Sequence, residues 1–384
     1  MQEIHLEPWE SISETVKAWL PIIEQRKYPA LEGKPETGKF YRLYPEGAVS
    51  ANMGPYHGNL RVGEEPENLI VYFNGGGVSW NEYTAARPNG LFTAGLKERF
   101  YFNECEWLGD GVMDNGLASR REDNPFRVWS VIELPYANGD FHCGNGDFPY
   151  TALDGSRRIL PHHGWRNTMA VIDLAKPWIG EPKRLLIAGS SAGGWGVSLM
   201  AEDVIAAFPS AEDITCLVDS SLAFKDDWRT VARDVWHAPE HIWQRLHSDN
   251  IMLDSYSALY RAHDGKLRCL FDCSIRDCAL ASVQNSFDGL GSVFTREAGD
   301  KIQQGLRDLT RFMQREMPGS GLYFFDLPSG DPAADAMRLT QHTILESPAT
   351  FDNRVEGVSV AEWLFRAVNG EVETIGASLL DQRK

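Results

Sequence analysis

Six short apolar runs limit what this chain can fold into. They are Leu69–Phe73, Val128–Leu134, Leu185–Ala188, Ile214–Val218, Leu267–Phe271 and Leu322–Phe325, each followed by a glycine-rich or polar turn. Most are near-continuous rather than alternating. A strand with one wet face alternates apolar and polar residues; a strand covered on both faces does not. Helical signals fall between the runs. Val197, Met200, Val204 and Phe208 recur on one helix face, and Pro209 ends it. Ser359 and Glu362 have capping-box spacing, Val360, Trp363, Leu364 and Val368 form a stripe, and Asn369-Gly370 supply a stop. Strands alternating with helices predict an α/β fold: a mostly parallel, doubly wound sheet within one domain spanning 1–384. The stretch from about 222 to 265 interrupts the alternation. It is rich in Trp, His and Asp, and reads as a lid-like helical or loop insertion over the functional face.

A chain of 384 residues can bury a large core without disulfides or metal clips. The net charge of -17 argues against nucleic acid and against an anionic membrane surface, since both call for basic patches. No run reaches the roughly 18 apolar residues of a membrane span. The start, Met1 to Glu7, has neither a basic region nor an apolar one, so the expectation is no signal peptide and a cytoplasmic setting. The cysteines, Cys105, Cys143, Cys216, Cys269, Cys273 and Cys278, do not fall in zinc-type pairs two residues apart. They read as buried free thiols rather than metal ligands or disulfides.

The run Leu185–Ala188 leads directly into Gly189-Ser190-Ser191-Ala192-Gly193-Gly194 and then into the Val197 helix. This is G-x-S-x-G in a strand–turn–helix setting. A nucleophilic serine needs that setting, because a sharp turn projects its hydroxyl from the sheet edge. Small neighbours at 189, 192 and 193 tolerate the turn, and the helix amino end favours a developing anion. The alternative is a glycine-rich phosphate loop, but no lysine follows. Ser191 is therefore the candidate nucleophile, and the fold expectation sharpens to the α/β-hydrolase architecture.

Phe73 is followed by Asn74-Gly75-Gly76-Gly77-Val78-Ser79-Trp80. Successive glycines after a strand upstream of the serine suit an oxyanion hole, where main-chain amides approach the substrate oxygen without side chains in the way. The predicted donors are Gly76, Gly77 and Ala192. In this architecture the order is Ser, acid, His, with the histidine after the last strand. Only His342 lies beyond residue 263. The acid has three candidates at strand ends: Asp277 first, then Asp272, then Asp219. Asp140 and His142 also lie at a strand end, and could line the pocket or stabilise their loop. Trp80, Trp195, Trp228, Trp236 and Trp243 could offer aromatic platforms or core packing.

Together these segments resemble the pectin acetylesterase family, which includes plant and bacterial esterases and the animal deacylase Notum. Asn74–Trp80, Asn124-Pro125-Phe126, Pro135–His142, the Gly189–Gly194 elbow, the Cys273–Asp277 segment, His342-Thr343-Ile344-Leu345, and Val355–Val358 with Trp363 carry the likeness, in that order. The resemblance implies a triad of Ser191, Asp277 and His342, oxyanion donors at Gly76, Gly77 and Ala192, and an ester substrate, small-molecule or carbohydrate. It implies no metal and no organic cofactor. Relatives remove acetyl groups from polysaccharides or, in the Notum branch, a fatty acyl group. Ser79 and Ala137 stand where many relatives carry cysteine, which argues against the family disulfides and hence against a secreted life. The leading expectation is a serine ester hydrolase that deacetylates a carbohydrate through an acyl-enzyme. The alternatives are a deacylase or thioesterase for a longer chain, and a non-catalytic ligand-binding relative.

Overall fold

The computed structural model describes residues 27–90, 96, 98–105 and 114–382. All six apolar runs are realised as strands, with bounds that differ by a few residues. The described residues form a sheet of nine strands: β1 (Phe40–Leu43), β2 (Gly58–Arg61), β3 (Glu65–Phe73), β4 (Trp129–Leu134), β5 (Arg184–Ser190), β6 (Asp213–Asp219), β7 (Arg268–Ser274), β8 (Gly321–Phe325) and β9 (Thr374–Ile375). Their spatial order is β1-β2-β4-β3-β5-β6-β7-β8-β9. Strand β2 pairs antiparallel with both neighbours, and every other pairing is parallel.

The continuous runs have a direct physical reason. Along each central strand, alternate residues enter two different cores. Val71, Phe73, Ile187, Val218, Phe271 and Phe324 pack on one face. Ile70, Tyr72, Leu186, Leu217, Leu270 and Tyr323 pack on the other. All twelve are buried. A side chain of this size contributes about 1.5–3 kcal/mol when fully buried, so neither face can be polar without loss.

Helices α1 (Gly164–Ile179), α2 (Ala192–Ala207), α3 (Ile251–Ala262), α4 (Cys278–Phe287), α5 (Arg296–Glu316) and α6 (Val360–Val368) connect the strands. The capping box read at α6 is present: Ser359 Oγ accepts from the Glu362 amide, and Glu362 accepts from the Ser359 amide. After β4 the chain returns across β3 to form β5, so the strand order switches between β3 and β5. Open α/β sheets place their ligand sites at such switch points, beyond the carboxyl ends of the strands. The Gly75–Gly77 loop and Ser191 lie there.

The 222–265 segment differs from the lid expected of it. It holds two short helical stretches, Trp228–Val235 and Glu240–Trp243, and then α3, which packs on α2 as the crossover between β6 and β7. Trp228 and Trp236 are buried. Trp236 donates from Nε1 to the Ser79 carbonyl at 2.6 Å, and Trp228 meets Phe287 edge-on at 5.4 Å. The segment contributes no residue to the lining of the cavity around Ser191. Its tryptophans gain more from packing behind the glycine loop than they would from standing over it.

Candidate active site

Strand β5 ends at Ser190, and α2 begins at Ala192. Ser191 between them has φ 56° and ψ -125°, a left-handed conformation that costs a non-glycine residue of order 1–3 kcal/mol. Its amide donates to the Asp219 carbonyl at 2.9 Å. The turn also brings α2 against β3. A Cβ on Gly193 would lie 1.9 Å from the Phe73 carbonyl oxygen, so only glycine fits there. Gly75 is as tightly placed: a Cβ on it would lie 2.6 Å from the Ser191 Cβ. The glycine loop after β3 therefore presses directly on the elbow.

The loop is fixed in place by a bridge to the Tyr101 segment. Val78 donates to Phe100 O at 2.7 Å, and Phe102 donates to Gly76 O at 2.8 Å. Among the described residues the Gly77 amide has no main-chain partner. The Ala192 amide belongs to the first turn of α2, whose N–H groups have no partner within the helix. Gly76, Gly77 and Ser191 line one cavity of about 430 Å³, together with His342, Thr343 and Glu346. Trp80, Phe100, Phe102, Val283 and Phe294 form its apolar walls.

Strand β7 delivers the acid. Asp277 is fully buried at the N-cap of α4, where Oδ1 accepts from the Leu280 amide at 2.9 Å. Both of its oxygens accept from His342 Nδ1, at 2.9 and 2.8 Å. Two loops far apart in sequence are joined here. The Cys278 amide donates to Thr340 O, the Thr340 amide donates to Arg276 O, and the Arg276 amide donates to Thr340 Oγ1. With Nδ1–H given to Asp277, Nε2 is the nitrogen left to take a proton. Burial pulls the His342 pKa down, but the Asp277 carboxylate, aided by Asp219 and Glu346, outweighs it and raises the pKa.

Of the three acid candidates, Asp277 is the one hydrogen-bonded to His342. Asp219, fully buried at the end of β6, instead accepts at Oδ2 from Ser190 Oγ (2.6 Å), the Ile344 amide (3.1 Å) and the Leu345 amide (3.2 Å). Asp272 is its register partner on β7. Burial and the neighbouring Asp219 hold the Asp272 carboxyl well above the usual carboxylate range.

Asp140 and His142 do not line the cavity. Asp140 accepts from the His142 and Gly164 amides, and His142 Nε2 donates to Asn74 O at 2.9 Å. Burial raises Asp140 to about 7 and lowers His142 to about 4. The pair thus braces the loop from behind, and its partners are main-chain groups. Trp195 is also outside the cavity: it is buried and stacked on Phe141 at 4.6 Å. Trp80 does face the cavity, with its ring edge-on to Phe100 and Phe287. All six cysteines are free, five of them buried; Cys278 is half-buried and lines the cavity beside Asp277.

Sequence reasoning did not single out Glu346. It is half-buried, lies four residues beyond His342, and is the one carboxylate among the described lining residues. Ser190, which has no role in the sequence reading, links Asp219 to Tyr72 Oη, with 2.6 Å to each. No local pattern marks either residue, since their partners come from other strands.

No described helix is long and apolar enough to cross a membrane. A comparison with curated proteins finds no match. Among solved structures, the Wnt deacylase Notum from Drosophila superposes with a TM-score of 0.58 at 16% identity, covering 87% of this chain and 94% of that one. That likeness is one of fold, and it fits the α/β-hydrolase architecture seen here. The family model Pectinacetylesterase matches residues 51–275, more than half of the chain. The chain belongs to the Pectinacetylesterase family and is a carboxylic ester hydrolase.

Proposed function

We propose that the protein hydrolyses acetyl esters of carbohydrates by a two-step acyl transfer through Ser191. His342 Nε2 takes the Ser191 proton as Oγ attacks the ester carbonyl. The amides of Gly76, Gly77 and Ala192 stabilise the tetrahedral oxyanion; losing one such donor typically costs about 3–4 kcal/mol in the transition state. The intermediate collapses, the C–O bond to the alcohol breaks, and His342 returns the proton to the departing oxygen. Water then attacks the acyl-serine, giving up its proton to His342, and the acid leaves as Ser191 is reprotonated. Asp277 keeps the proton on Nδ1 and stabilises the imidazolium in both steps.

The observation that carries this reading is the two-oxygen clamp of buried Asp277 on His342, in the wall of the cavity that Ser191 also lines. A second reading has support of its own. The aromatic walls at Trp80, Phe100 and Phe102 suit a longer acyl chain than acetyl, and the Drosophila neighbour is described as a deacylase.

The test combines a fluorophosphonate probe with acetate release from acetylated polysaccharide. The expected result is labelling and release by the native protein, both abolished in Ser191→Ala. A native protein that binds acetylated sugar but neither labels nor releases acetate would instead be a non-catalytic binder. Faster turnover of octanoyl than acetyl esters would favour the second reading.

A further inference from the structure

The triad leaves the one carboxylate among the described cavity-lining residues without a task. Glu346 shares the cavity with Ser191 and His342, beside the aromatic walls at Phe100 and Phe102. Its contact inside the protein is thin: Tyr72 Oη approaches Oε1 at 3.4 Å, while the same hydroxyl makes a much shorter contact with Ser190 Oγ. The buried Asn74 side chain is the other group that reaches its carboxyl. A carboxyl so placed keeps acceptor capacity for a ligand, because an ionised carboxylate has about four lone-pair sites.

The position of Glu346 indicates which part of the substrate it meets. His342 must face the leaving oxygen in order to protonate it. Glu346 stands on the turn that carries His342, and that turn is held by Asp219 through the Ile344 and Leu345 amides. The alcohol half of the ester therefore lies toward this turn, and the acyl half lies against the aromatic walls. An alcohol without further hydroxyls would displace water from the carboxyl and return no hydrogen bond, at a cost in binding.

We propose that Glu346 is a specificity-determining residue that hydrogen-bonds a free hydroxyl on the alcohol half of the ester. It would thereby select esters of polyhydroxylated alcohols. This rests on the triad reading above and deepens it. Burial, with Asp219 nearby, raises the Glu346 carboxyl to about 7, so near neutrality it can either accept from such a hydroxyl or donate to it.

The experiment uses two acetates of the same carbon skeleton, glycerol monoacetate and propyl acetate, with the full-length protein. The quantity read is the ratio of their kcat/KM values. The native protein should prefer glycerol monoacetate. In Glu346→Leu that ratio should collapse by about ten- to a hundredfold, the loss expected for a hydrogen bond to a charged group. Glu346→Gln, which keeps one acceptor oxygen, should retain part of the preference. A ratio unchanged in Glu346→Leu overturns the proposal, because a purely structural residue would slow both esters alike. Fluorophosphonate labelling of Ser191 in each variant reports whether the site is assembled. Native protein that fails to label sinks the triad reading itself, whereas labelled variants with an unchanged ratio sink only this inference.

Discussion

Asp277→Asn isolates the contribution of one buried charge. The substitution replaces an oxygen by an NH2 group of nearly the same size. The N-cap bond survives, since an asparagine can still accept from the Leu280 amide, and asparagine caps about as well as aspartate. What is lost is the charged acceptor for His342 Nδ1, now held at 2.8–2.9 Å. A hydrogen bond to a charged group contributes roughly 1.5–3 kcal/mol. The attraction between the imidazolium and a carboxylate about 4 Å away adds roughly 4 kcal/mol at an effective dielectric near 20. Their sum is roughly 5.5–7 kcal/mol, and at about 1.4 kcal/mol per decade this amounts to a rate loss of about 10⁴- to 10⁵-fold. The same exchange in a serine protease triad costs about 10⁴. Hydrolysis of p-nitrophenyl acetate measures kcat, and a thermal melt measures the fold. The melt should hardly move, because the cap is kept. The pH profile carries a sign as well. His342 must be neutral to act as base, so kcat/KM rises with pH through its pKa, which the native protein holds above the ordinary histidine value. Without the Asp277 charge, the acid limb of the residual activity should move to lower pH. A kcat within tenfold of the native value, with the acid limb unmoved and the fold intact, would refute the reasoning.

Two further outcomes follow from contacts around the elbow. Gly193→Ala would force a methyl to within 1.9 Å of Phe73 O. Main chain cannot yield as a side-chain tip does, so a loss of roughly 3 kcal/mol or more is expected, read as a lower denaturant midpoint together with lost probe labelling. Asp219→Ala should strand the Ser190 hydroxyl and the Ile344 and Leu345 amides, lowering both kcat and stability. Asp219→Asn keeps an acceptor for them and can donate to Asp272, so it should retain most of both; equal damage in the two variants would count against this clamp.

The six apolar runs and the G-x-S-x-G turn were legible because their causes are local. A strand covered on both faces must be apolar at successive positions, and the Leu69–Phe73 and Leu185–Ala188 runs show it. A serine on a left-handed turn needs small neighbours, and Gly193 proves indispensable for a reason the sequence signals only as a glycine. Chain order picked out His342, because it alone follows the last long strand.

The choice among acids was not local. Asp219, Asp272 and Asp277 all stand at or just beyond the ends of adjacent strands, and sequence ranks them only by habit of the fold. The bridge between Asp277 and Thr340 brings one of them to His342, while the register of β6 on β7 sets the other two side by side. The same holds for Asp140 and His142, whose partners turned out to be main-chain groups behind the loop, and for Trp228 and Trp236, which became packing. Glu346 had no signal at all. Periodicity and turn chemistry act over a few residues and are written in the chain itself; hydrogen-bond partners hundreds of residues apart exist only once the sheet has assembled. The sequence by itself thus determined the covered parallel sheet and the serine elbow, while the tertiary structure decided which carboxylate bonds the histidine and which one lines the cavity.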